Sequence, residues 1–200
     1  MEETEFKDKR ALVTGAGKGI GRGIAVRLAN LGTKVYAISR TQTDLDNLKQ
    51  EVPSVETRLL DISDWETTRK VVTKGMATRG TGGAVVNISS IAGIRTTMNH
   101  SCYSTSKAAL DMLTLSLTHE LGPKKIRVNS VNPTVVMTEM GKRGWNDPEK
   151  KAAALAKIPV GRFAEIEDIV NATVYLLSDK SSMINGVVLP VDGGMINSFV

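Results

Sequence analysis

The apolar positions along this chain follow two alternating rhythms. Short uncharged runs, such as Val35-Tyr36-Ala37-Ile38, Ala84-Val85-Val86 and Val187-Val188-Leu189, read as strands covered on both faces. Between them, apolar residues recur every three or four positions, the spacing of a helix with one buried stripe. The pattern predicts strands over 10–14, 34–39, 55–61, 84–88, 126–131 and 187–191. Helices are predicted after the first strand, where Ile24, Leu28 and Leu31 repeat and Gly32 supplies a stop, and over 44–50, 65–72, 104–121, 148–156 and 165–177. Asp64 stands where it can cap the third of these, and Gly122-Pro123 closes the long one, which carries Leu110, Leu113 and Leu117 on one stripe. Strand alternating with helix implies an α/β chain with a doubly wound, Rossmann-type parallel sheet and helices on both faces. No internal repeat, linker or low-complexity tract interrupts it, so residues 1–200 read as a single domain.

Composition narrows the function. At 24% charged and 41% hydrophobic the chain is ordinarily globular, which excludes wholesale disorder. Aromatics are only 4%, too few for a base-stacking platform, and the net charge of +5 is scattered among acids. No nucleic-acid partner is expected. No apolar run reaches the ~20 residues of a membrane span, and residues 1–10 are charged where a signal peptide would be apolar. The single cysteine, Cys102, allows no internal disulfide, which favours a reducing, cytoplasmic compartment. No base is spaced to activate it, so it is expected to pack as a small apolar residue. No metal site is expected.

The first strand runs into Gly15-Ala16-Gly17-Lys18-Gly19-Ile20-Gly21, and a helix follows. Gly15, Gly19 and Gly21 let the backbone turn and approach a pyrophosphate, which the free N–H groups of the helix N-terminus would hold. No Gly-Lys-Ser/Thr follows, which excludes the phosphate loop of nucleotide hydrolases. An NAD site wants an acid at the end of the second strand, to accept from the ribose 2′-hydroxyl. Here Ser39-Arg40-Thr41 stands there, with no acid before Asp44. Arg40 can grip a 2′-phosphate in two-pronged fashion, and Lys18 adds a second cation. The preferred cofactor is therefore NADP(H), against the plainer reading of Arg40 as a solvated side chain. Asp61, at the end of the third strand, either accepts from the adenine amino group or caps the next helix.

Tyr103 and Lys107 stand four apart at the start of a helix and so share a face. A buried tyrosine beside an ammonium has a stabilised phenolate and exchanges a proton near neutral pH. Lys107 can also hold the nicotinamide ribose. Ser90, thirteen residues before Tyr103 and just past the 84–88 strand, can polarise a carbonyl oxygen. Such a set suits hydride transfer from the cofactor to a small-molecule carbonyl substrate, with Tyr103 supplying the proton. Tyr-x3-Lys alone is most often a surface contact. Its specificity comes from Ser90 and from the preceding glycine loop.

These motifs resemble the short-chain dehydrogenase/reductase family. The resemblance rests on Thr14-Gly15-Ala16-Gly17-Lys18-Gly19-Ile20-Gly21, Asp61, Asn87-Ile88-Ser89-Ser90, Tyr103-Ser104-Thr105-Ser106-Lys107, Arg127-Val128-Asn129 and Asp192-Gly193-Gly194. Ser39-Arg40-Thr41-Gln42, Asn99-His100-Ser101, Ala109 to Thr114 and Asn132 to Thr138 resemble a subgroup that reduces α-dicarbonyls and ketopentoses such as L-xylulose. The resemblance implies NADPH dependence and a homotetramer, with Ser90, Tyr103 and Lys107 catalytic. It also implies that Val136 and Thr138 touch the nicotinamide carboxamide and that His100 lines the substrate pocket. His100 reads equally as a hydrogen-bonded loop histidine. Trp145 belongs either to a substrate lid or to simple packing.

One part of the pattern is missing. The family's fourth strand ends in Asn-Asn-Ala-Gly and leads into a long helix carrying a catalytic Asn. Here 65–72 passes almost directly to 73–83, which resembles only the last turns of that helix. No Asn-Asn-Ala-Gly occurs anywhere in the chain. Roughly forty to fifty residues are absent near 72–73. In the order 3-2-1-4-5-6 the lost strand is central. Its two neighbours must close together or leave backbone groups unpaired at ~1–3 kcal/mol each. The expectation is a chain of reductase ancestry with impaired folding, assembly or activity. A non-catalytic nucleotide-binding module is the competing reading.

Overall fold

A computed structural model describes residues 5–64, 66, 80–96 and 98–198 of the chain. The chain divides into two compact units, Met1–Thr81 and Gly82–Val200. In the first, strands β1 (Arg10–Thr14), β2 (Lys34–Ser39) and β3 (Glu56–Leu59) alternate with helices α1 (Gly19–Asn30) and α2 (Gln42–Glu51). The strands form a parallel sheet in the order β1-β2-β3, in a register that sets Val13 beside Ala37 and Ile38 beside Arg58. Helix α1 buries Ile24, Ala25 and Leu28, and α2 buries Leu45 and Leu48. With Val35, Ile38 and Val55 these side chains make up the core of the unit. Gly32, at φ +82°, turns the chain out of α1 as its position predicts.

The second unit holds β4 (Gly83–Ile88), α3 (Ser101–Leu121), β5 (Ile126–Pro133), α4 (Glu139–Gly144), α5 (Pro148–Leu155), α6 (Ile166–Leu177) and β6 (Val188–Val191). Its parallel sheet runs β4-β5-β6, with β5 in the middle and buried almost throughout. Helices α3 and α6 both pack on this sheet. Arg127 on β5 donates to the carbonyls of Leu176, Ser178 and Ile184, at 2.9, 2.9 and 3.2 Å. It thereby satisfies acceptors that the end of α6 leaves open. Among the described residues no helix is long and apolar enough to cross a membrane.

The predicted elements differ from the observed ones in instructive ways. The strand predicted over 126–131 continues to Pro133, which a strand tolerates at its end, where the missing N–H costs no ladder bond. The strand predicted over 55–61 is trimmed to Glu56–Leu59. The long helix begins at Ser101, so Tyr103 lies in its first turn. The helix predicted over 65–72 and the junction at 72–73 lie outside the described residues. The leucine stripe of α3 is not buried as a whole: Leu110 and Leu117 are half-buried. Leu113 is 49% exposed, while Ser104, Asp111 and Thr114 are buried. The reason lies in the strands beneath, which turn Asn87, Ser130 and Asn132 toward α3. A helix laid over buried polar groups must answer them with hydrogen bonds. Thr114 accepts from Asn87 Nδ2 at 2.9 Å and Asp111 accepts from Ser130 Oγ at 3.0 Å.

The loss of a central strand is visible in the sheet itself. The described strands form two three-stranded parallel sheets in place of one continuous sheet. β1 pairs with β2 in the first unit, and β4 pairs with β5 in the second. Leu12 on β1 is left exposed. Stability of the first unit is expected to rest on the α2 contacts. Leu45→Ala should cost about 2–5 kcal/mol, read from a urea titration of the chain.

Candidate active site

Strands β1 and β2 both end at a cavity of about 650 Å³ in the first unit. Gly15, Lys18, Ser39, Arg40, Thr41 and Asp61 all line it. Ile38, Leu60 and Ile62 add apolar wall. Gly19, Ile20 and Gly21 are not lining residues; they form the first turn of α1. Gly15 has φ +64°, and a Cβ there would meet no atom within 4 Å, so the backbone offers an open face. A Cβ at Gly21 would run into the Gly15 carbonyl oxygen, which explains that glycine as a packing requirement. Gly17 is fixed from the other side, since its Cβ would lie 2.7 Å from Ser39 Oγ and 2.8 Å from Asp44 Cβ.

The electrostatics of this pocket are more balanced than the sequence suggested. Lys18 Nζ lies 3.2 Å from Asp44 Oδ2, so Lys18 is an ion-paired cation. Asp44 also lines the cavity and was not among the predicted site residues. Its signal was present in the sequence: three residues past Thr41, it falls in the first turn of α2. Asp61 accepts from the Ser63 N–H at 2.9 Å. That bond and the Ser63 hydroxyl hold its carboxyl below the usual range, with a smaller contribution from Arg40. The N-terminus of α1 has no acid in its first turn and, among the described residues, no side-chain cap. Its N–H groups are therefore placed for an anion. An open glycine face, an uncapped helix end, two cations and an apolar wall fit the adenosine-phosphate half of a nicotinamide dinucleotide.

The second unit carries the catalytic candidates. Tyr103 and Lys107 occupy the first two turns of α3, with Lys107 Nζ 5.7 Å from the Tyr103 ring centroid. Tyr103 is 46% exposed, not buried as expected, because it projects from the helix start where no described element covers it. Lys107 Nζ donates to the Ile88 carbonyl at 2.9 Å, which ties the helix to the end of β4. Burial pushes the Lys107 ammonium below its ordinary pKa, and the charge of Asp111 partly offsets this. Ser90 follows β4 directly and is buried; its Oγ accepts from the Ala92 N–H at 3.1 Å. A hydroxyl used as acceptor keeps its proton to donate. His100 Nδ1 shares a hydrogen bond with the Met98 carbonyl at 2.8 Å. Its ring stands edge-on to Tyr103, with centroids 6.3 Å apart.

The remaining candidates are structurally engaged. Val136 is buried and bridges to Ala164, and Thr138 caps α4 by accepting from the Gly141 N–H at 3.1 Å. Trp145 packs against Phe163 at 5.3 Å between centroids, under the Lys150 ammonium at 4.7 Å. Cys102 is exposed, contrary to the packing expectation, because the helix start turns it outward. A set the sequence reading missed lies beneath the centre. Asp111 accepts from Ser130 Oγ at 3.0 Å and from Asn132 Nδ2 at 2.8 Å. Asn132 Nδ2 also donates to the Ser90 carbonyl at 2.9 Å. Asp111 is one turn beyond Lys107, so its position on that face was available from spacing alone.

Comparison with known proteins agrees with this geometry. A family model described as short chain dehydrogenase matches residues 9–80, and one described as Enoyl-(Acyl carrier protein) reductase matches residues 69–196. L-xylulose reductase of Mesocricetus auratus is 44% identical over 94% of this chain and 96% of its own length. Carbonyl reductase [NADPH] 2 of Sus scrofa is 37% identical over 98% of this chain and 100% of its own. A solved short-chain type dehydrogenase/reductase from Mycobacterium ulcerans is 27% identical with a TM-score of 0.90, covering 97% of this chain and 92% of that one. The chain belongs to the short-chain dehydrogenase/reductase family. The alignment with the hamster enzyme runs over 235 residues against the 200 present here, so the relative carries an internal segment that this chain lacks.

The buried network yields a contrast on one helix. Asp111→Ala, which strands one N–H of Asn132 while Ser130 Oγ can still donate to Asn132 Oδ1 at 2.9 Å, should destabilise the chain by about 1–3 kcal/mol. Leu113→Ala should shift stability by no more than about 0.5 kcal/mol. Parallel denaturant titrations check both.

Proposed function

We propose that this chain is an NADPH-dependent carbonyl reductase acting on α-dicarbonyls and ketopentoses such as L-xylulose. Residues 1–200 then serve as one reductase domain, in keeping with family matches on both units. The observation that carries the reading is Ser90 just past β4 with Tyr103 and Lys107 on the first turns of α3, where Lys107 bonds to the Ile88 carbonyl at the end of β4. Ser90 donates its hydroxyl proton to the substrate carbonyl oxygen and polarises the carbonyl. Tyr103 gives that oxygen its proton, and the Lys107 ammonium one turn away stabilises the phenolate left behind. His100, edge-on to Tyr103, bounds the space in which a small substrate sits. Gly15, Ser39, Arg40 and Thr41 hold the cofactor's adenosine end within the first unit. When bound, the reduced nicotinamide supplies the hydride. The NADPH named in the porcine relative and the Arg40 side chain in the pocket support NADP(H). Exposed Met112, Leu113 and Leu115 on α3 support a homo-oligomer, and the single cysteine supports a cytoplasmic setting.

A second reading has its own observation behind it. The divided sheet and the absent internal segment favour a chain that binds nucleotide without turning over substrate. One experiment separates the two. NADPH is expected to raise the melting temperature, because binding to the native state alone stabilises it by mass action. NADPH oxidation with diacetyl or L-xylulose then tests the chemistry. Turnover that Tyr103→Phe abolishes, with the melting shift retained, establishes the reductase. A melting shift without turnover in the well-folded wild type establishes the binding module. Since burial lowers Lys107, its charge is lost as pH rises at a lower value than the ~10.4 of a solvated lysine. The alkaline limb of turnover is expected below that value, and Asp111→Asn should lower it further by removing the charge that holds Lys107 up.

A further inference from the structure

We propose that Asp44 restrains the pocket's preference for a 2′-phosphorylated nucleotide by engaging Lys18, so that removing its charge strengthens the discrimination. The inference rests on the reading of the cavity as a nucleotide site and concerns a residue with no part in the chemistry. Lys18 and Asp44 both line the cavity with Arg40 and Asp61. The lining therefore carries two cations against two carboxylates. A 2′-phosphate dianion thus meets lining side chains whose formal charges cancel.

The two members of the pair are unequally held. The Lys18 side chain is 75% exposed, while that of Asp44 is 14% exposed. Asp44 sits in the first turn of α2, where the helix end favours a negative charge. Its Cβ occupies the place a Gly17 side chain would need. Arg22 NH1 donates to its carbonyl at 3.4 Å and NH2 donates to the Asn47 carbonyl at 3.2 Å, while the guanidinium also pairs with Glu51. The backbone of Asp44 is thus held and its side chain is largely buried, whereas the Lys18 ammonium sits on a flexible, exposed stem. A phosphate that recruits Lys18 must break the contact. It then lies well within the ~8 Å screening length of the Asp44 carboxylate.

Adenosine 2′,5′-bisphosphate and adenosine 5′-monophosphate serve as probes, because they differ only at the 2′ position and need no catalytic centre. Their affinities for the full chain are measured by calorimetry on the wild type, Asp44→Asn and Lys18→Met, and on the double variant. Asp44→Asn should bind the bisphosphate about fivefold more tightly, with the monophosphate changed by less than about twofold. In the Lys18→Met background the same substitution should gain less. Unchanged or weaker bisphosphate binding in Asp44→Asn overturns the proposal, as it would if Asp44 served to orient Lys18 for phosphate. Weaker monophosphate binding with the bisphosphate unchanged also overturns it, because Asp44 would then be a 2′-hydroxyl acceptor. An undiminished gain without Lys18 overturns the route through that residue. If the wild type binds neither probe, the nucleotide-site reading falls and this inference with it. Asp44→Ser repeats the test should Asp44→Asn fail to fold, as judged by circular dichroism.

Discussion

The second unit of this molecule is organised around a buried carboxylate. Asp111 takes donors from Ser130 and Asn132, both on β5, and sits one turn beyond Lys107 on α3. Taking a charge out of water is costly unless hydrogen bonds replace the lost hydration, so α3 can lie on β5 only where those donors meet it. The consequences spread outward. Asn132 reaches on to the Ser90 carbonyl, Lys107 reaches the Ile88 carbonyl, and Ser89 Oγ donates to the Lys107 carbonyl at 3.2 Å. Gly93 has to lack a side chain because its Cβ would lie 2.8 Å from Asp111 Oδ2. The register of helix on sheet and the placing of Ser90, Tyr103 and Lys107 are one arrangement.

The nucleotide half obeys a different constraint, close approach of backbone. Gly17 and Gly21 are there for want of space, and Gly15 for its left-handed conformation and open face. Together they bring the start of α1 against β1 and leave its N–H groups uncapped. Charge is then layered onto this geometry, and it is layered with both signs. An arginine after the second strand suggests phosphate affinity in isolation, yet its effect in the pocket is set by Asp44 and Asp61 beside it.

The chain folds as two units, each with its own three-stranded parallel sheet. Each retained half keeps its internal logic. The first keeps its βαβ crossovers, and the second keeps a fully buried middle strand with helices against it. The motifs survive because they are local to each half, whereas the continuity of the sheet was never local.

The sequence by itself determined the alternation of strand and helix, the glycine loop, the Ser-Tyr-Lys set and the absent segment. Each is a matter of residue type at short spacing. β1 and β2 fall on the predicted apolar runs, and the residues after their ends line one cavity because parallel strands open their carboxyl ends on one side. Tertiary structure alone decided which face of α3 is buried. Spacing marks Leu110, Leu113 and Leu117 as a stripe, but the strands beneath offer amides and hydroxyls, and a buried polar surface selects the polar face of the helix. It decided the pairing of Lys18 with Asp44, since which charges meet depends on where two loops fold. It also decided that Tyr103 and Cys102 are exposed, because burial depends on what covers a helix end and not on the residues that form it.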